Sequence, residues 1–125
     1  MLRHLFWTSV ILCALAGLAH LVIGLVSFEP LSPNLAWYLD AGMAMLLLAL
    51  ANSAVWYRTR HPDRAVRVLT HVANFLMSLF GVVAAAATGE MRVYIALASM
   101  IGLFLTGMAL DRAGPTPDAS TPSAP

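Results

Sequence analysis

Apolar residues run almost without interruption through four stretches of the chain: Leu5 to Phe28, Trp37 to Tyr57, Ala65 to Thr88 and Val93 to Leu110. None shows the two-residue alternation of a half-buried strand. Each is close to the ~20 residues that an α-helix needs to cross a hydrocarbon core about 30 Å thick. An isolated strand in lipid leaves its backbone groups unpaired, so helices are the expected form. The polar breaks read as helix punctuation. Ser32-Pro33 offers an N-cap followed by proline at the first helical position, and Asp63 follows Pro62 where the next helix dipole favours an acid. Gly89 after Thr88 is a candidate C-cap. The pattern predicts helices over about 5–28, 33–57, 63–88 and 92–111, one membrane domain over 1–111, and a disordered tail over 112–125 that is rich in Pro, Ser, Thr and Ala. The fold class is an all-α integral membrane four-helix bundle with short loops.

Arginine placement orients this bundle. Arg3 precedes the first span, Arg58, Arg60, Arg64 and Arg67 surround the second connection, and Arg112 follows the last span. Arg92 alone lies on the opposite side, together with Glu29 and Glu90. The bias places both termini and the second connection in the cytoplasm. Trp7, Trp56 and Tyr57 then ring one membrane interface, and Trp37, Tyr38 and Tyr94 the other. Met1 to Ala16 has some features of a secretory leader, ending in Ala14-Leu15-Ala16, but its apolar run continues to Phe28 and is read as a span.

Composition narrows the classes. The chain is 60% hydrophobic and 10% charged, too little charge to cover a water-soluble domain of 125 residues. A net charge of +1 speaks against a nucleic-acid partner. Cys13 is the only cysteine, which excludes an intrachain disulfide and a cysteine-built metal site. All seven basic residues are arginine, a bias that suggests a GC-rich bacterial genome and hence an inner-membrane location.

Small and weakly polar residues recur at helical spacing: Ser9, Cys13, Gly17, His20 and Gly24 on the first span, His71, Asn74, Ser78, Gly81 and Ala85 on the third, and Ser99, Gly102, Thr106 and Ala109 on the fourth. Membrane helices approach one another along such faces. His20, about 12 Å below the outer edge, and Asp40, roughly 5 Å below it, come within side-chain reach, with Ser99 at a similar depth, and form a candidate proton or cation site, since an intramembrane carboxylate beside an imidazole suits that chemistry. Asn52, Thr70, His71, Asn74 and Thr106 form a second polar cluster nearer the cytoplasm, suited to hydrogen bonding between helices. His20 and His71 differ in depth by about 10 Å, too far to ligate one haem together.

The chain carries no nucleotide loop, metalloprotease helix or serine-nucleophile elbow, and no metal, cofactor or catalysis is expected. The expected function is a non-enzymatic accessory or assembly subunit of the inner membrane that self-associates or docks on a larger complex. Alternatives are a small oligomeric transporter or channel with a path through His20 and Asp40, and, third, a redox or quinone-associated subunit. Expected partners are the bilayer, with anionic head groups at Arg58, Arg60, Arg64 and Arg67.

Overall fold

The computed structural model describes residues 1–58 and 63–113, with the side chains of Trp56, Tyr57 and Arg58 left aside. Arg60 and the tail from residue 114 onward lie outside the described residues, as do the side chains expected at one aromatic belt, Trp56 and Tyr57. Four helices follow one another: α1 (Leu2–Ser27), α2 (Pro33–Arg58), α3 (Arg64–Thr88) and α4 (Met91–Ala113). At 1.5 Å per residue they are about 35–39 Å long, more than the ~30 Å of a hydrocarbon core. All four are long and apolar enough to cross a membrane.

Local chemistry sets their ends. α1 stops at Phe28, which is extended at φ −125°, and Pro30 keeps the helix from resuming by disfavouring helical backbone at Glu29. The Glu29–Ser32 turn closes with the Ser32 amide donating to the Glu29 carbonyl at 3.2 Å, and it holds Leu31 in the left-handed region at φ 64°. Ser32 then caps α2, its hydroxyl accepting from the Leu35 amide at 3.1 Å. Asp63 caps α3 by accepting from the Ala65 amide at 3.0 Å. Gly89 closes α3 at φ 65°, a backbone conformation that glycine adopts without strain.

The helices run antiparallel in sequence order, so residues 1 and 113, the C-terminal end of α2 and the start of α3 share one end, here the terminal end. The 28–32 and 89–90 connections form the distal end. α1 packs on α2 and α4, and α3 packs on α4, while α2 and α3 touch least of the four neighbouring pairs. At the α1–α2 crossing, Gly17 and Gly42 bring the backbones together. A Cβ on either glycine would lie 2.8 Å from the other's carbonyl oxygen.

The bundle differs from a soluble protein in its surface: Leu15, Leu18, Leu25, Leu69, Val83 and Leu105 face outward. Inside, Asn52, Asn74, Ser78 and Ser99 are buried beside an apolar core that includes Phe6, Met45, Met100 and Leu103. The small-residue faces of α1 and α3 are turned inward as the spacing predicts. α4 differs, burying Ala96, Met100, Leu103 and Gly107 beside Ser99. It sits between α1 and α3, so its buried arc is wider than one stripe: Gly102 faces Ser9 of α1, and Gly107 faces His71 of α3. An outer surface this rich in large apolar side chains is stable only in lipid. The chain is a four-span membrane protein.

Candidate functional site

Polar groups gather in three places. The first is the terminal half of the α2–α3 seam. Asn52 and Asn74 are both fully buried and exchange two amide hydrogen bonds, Asn52 Nδ2 to Asn74 Oδ1 at 2.7 Å and Asn74 Nδ2 to Asn52 Oδ1 at 3.0 Å. Asn52 Nδ2 also donates to the Leu48 carbonyl at 2.8 Å. An amide has two donor hydrogens and cannot satisfy them on its own helix, so it reaches across. Hydroxyls behave differently. Thr70, Ser78 and Thr106 each donate to the carbonyl four residues back, at 2.9, 2.8 and 2.5 Å, so they do not bridge helices.

One turn toward the terminal end, Asp111 of α4 accepts from Arg67 Nη1 at 2.5 Å and holds its second oxygen 3.5 Å from His71 Nε2. Arg67, expected at lipid head groups, is therefore engaged by an acid. Both His71 ring nitrogens are buried without a hydrogen-bond partner among the described residues. Asp111 escaped the reading of the sequence, yet a signal was there. An acid in the last turn of a helix opposes the helix dipole and calls for a nearby cation.

The second place is the distal end. His20 Nδ1 lies 3.0 Å from the Ala16 carbonyl, and its ring stacks on Tyr38 at 5.4 Å between centroids. Arg92 lies over the other partner of this group, with its guanidinium 5.9 Å from the Tyr38 centroid, and it donates to Glu90. That hydrogen bond, with the charge of Arg92 beside it, holds the Glu90 carboxyl below its ordinary range. His20 and Arg92 line a cavity of about 240 Å³ between α2 and α3. Ser99 is elsewhere, buried beside Cys13 and donating to the Ala96 carbonyl at 2.7 Å.

Asp40 is the third place, and it stands alone. Tyr38 meets His20, and Asp40 lies two residues on, about 200° around the helix. Its side chain is exposed on the outer face of α2, and among the described residues no hydrogen bond or ion pair holds it. The structure thus joins Asn52 to Asn74 and sets His71 one turn away, but it does not join His20, Asp40 and Ser99. Among the described residues no three His, Cys, Asp or Glu side chains gather as a metal site would require.

No known family model matches the chain, and no curated protein and no solved structure shows a significant similarity to it.

Proposed function

We propose that the protein is a non-enzymatic accessory or assembly subunit of a bacterial-type inner membrane, docking on a larger complex through the outer face of α2. Its orientation, with both termini and the α2–α3 connection in the cytoplasm, rests on the arginine bias across the connections. The observation that carries the docking is the position of Asp40. Every other charged residue lies in a connection or tail, or within one turn of a helix end, whereas Asp40 is the eighth residue of α2 and faces away from the bundle. It sits about 10 Å from the end of α2, roughly 5 Å inside a centred hydrocarbon core. A charged carboxylate costs about 2.5–3.5 kcal/mol at mid-membrane and less toward the edge, and nothing within the bundle offsets it. A partner helix carrying Arg or Lys at that depth supplies the missing charge. Met43 and Leu47 lie on the same exposed face and supply apolar contact.

A path through His20 and Asp40 gains no support from the geometry, since the two occupy different faces of the α1–α2 pair. The docking reading is tested by placing a photocrosslinking residue at Met43 in native membranes, with Leu69 on α3 as the control position. The expected result is one adduct, specific to Met43, whose crosslinked peptide comes from a transmembrane helix with a basic residue. It is retained in Asp40→Glu and lost in Asp40→Asn. Lipid adducts only, or equal adducts at both positions, overturn the proposal. A crosslink to a second copy of this chain replaces the heteromeric partner with self-association and overturns it equally.

A further inference from the structure

The distal cavity is a different matter from the outer face of α2. α2 and α3 are pinned together at Asn52–Asn74, and on the distal side of that clamp, behind the Trp37–Phe80 ring contact, lies a space of about 240 Å³. A single water needs only ~10–15 Å³, so this is no packing flaw. Its chemistry is graded. The floor is apolar, made by Met45, Met77, Met100 and Ala96, and the mouth is polar, with Asn34, Thr88 and the Glu90–Arg92 pair. An apolar floor is a poor home for water, and a polar mouth is a poor fit for a plain hydrocarbon chain.

Three features specify what fits. First, the charges at the mouth already cancel, because Glu90 is bonded to Arg92. Asn34 and Thr88 beside them carry no charge, so an uncharged head is favoured over an anion or a cation. Second, the mouth presents flat rings: Tyr38, His20 and the tilted pair Trp37–Phe80, whose centroids lie 5.3 Å apart. Such walls suit an aromatic head by stacking and edge contacts. Third, the tautomer of His20 follows from its neighbour. The Ala16 carbonyl can only accept, so Nδ1 carries the proton in the neutral ring and Nε2 remains an acceptor. A head with a hydroxyl donor satisfies it, and a head with acceptors only does not.

Access is lateral. Trp37 and Phe80 stand on either side of the loosest of the four neighbouring seams, both line the cavity, and both are exposed on its outer surface at 50% and 38%. Ligands dissolved in the bilayer reach such a site without crossing water.

We propose that this cavity binds an uncharged amphiphile with a hydroxylated aromatic head, of the phenol or quinol class, and a single apolar tail. The head lies against His20 and Tyr38, the tail runs toward the three methionines, and entry is between Trp37 and Phe80. Binding does not depend on the docking of α2 to a partner.

The test uses the full chain in nanodiscs, with 4-decylphenol as probe and 4-decylanisole as its methyl ether, which lacks the donor. Binding is read as a saturable rise in melting temperature. A second reading is the fluorescence of Trp37 in a Trp7→Phe/Trp56→Phe background. The expected result is saturable binding of the phenol, with the ether about tenfold weaker, and a similar tenfold loss for the phenol in His20→Phe. Filling the cavity from two sides, by Ala41→Leu or by Ala84→Leu, should abolish binding; a filled variant that melts cooperatively without ligand is folded and counts. Equal responses of parent and filled variants would show partition into the bilayer alone and overturn the site. Equal affinity for phenol and ether, or displacement of the phenol by dodecanoate at lower concentration than by unlabelled phenol, would overturn the assigned head.

Discussion

Replacing Asn52 and Asn74 by leucine, singly and together, probes the polar clamp across the loosest of the four neighbouring seams. Each single substitution removes both interhelical bonds, of 2.7 and 3.0 Å, and leaves the opposite amide buried with no partner across the seam. Hydrogen bonds between membrane helices average about 0.6 kcal/mol and reach about 1.7. Two of them, plus the cost of a stranded buried amide of about 1–3 kcal/mol, put each single variant near 2–3 kcal/mol of lost stability. In the double variant no stranded amide remains, and the leucines fill the seam. Its loss should therefore fall below that of either single variant, to about 1 kcal/mol, a coupling of about 3 kcal/mol or more. The assay is reversible unfolding in detergent followed by circular dichroism, run on parent, both singles and the double. Additive losses, with a coupling under about 0.5 kcal/mol, would refute the clamp.

Other substitutions test the remaining structural arguments. Gly17→Ala and Gly42→Ala each push a methyl group against a carbonyl that would be 2.8 Å away, and should cost about 1–3 kcal/mol in the same assay, whereas Leu47→Ala on the lipid face should cost far less. Leu31→Gly relieves a left-handed leucine that is fully exposed, and should raise the melting temperature by an amount worth about 1 kcal/mol. Glu90 titrates below its ordinary value because Arg92 bonds its charged form. Its contribution to the distal cap is thus present above the unfolded value of 4.5 and disappears as pH falls through the lower folded value. A carboxyl carbon NMR titration should show that midpoint move up to the ordinary range in Arg92→Gln.

Reading the sequence recovers some of this molecule and misses the rest for identifiable reasons. The four spans are legible because lipid demands uninterrupted apolar length, and the inward faces of α1 and α3 are legible because their glycines, serines and asparagine share one sector. The rotation of α2 is not. Leucine, methionine and alanine surround it on all sides, so nothing in its pattern says that Tyr38 turns inward to His20 while Asp40 turns out. Asn52 and Asn74 stand out as polar residues at one depth, but the reciprocal bond between them is a property of packing. Asp111 is hidden by its place at the edge of α4, where an acid reads as the start of water and not as the partner of Arg67, 44 residues earlier.

The outward position of Asp40 is tested most directly by the mass of the particle that carries this chain out of native membranes in polymer-bounded discs. With Asp40 intact, the particle should hold this chain together with a different subunit in fixed proportion. With Asp40→Leu it should hold this chain alone, and that released protein should melt as the parent bundle does, because Asp40 supports nothing inside it. A parent particle already holding only this chain, or a complex whose mass Asp40→Leu leaves unchanged, would contradict the account.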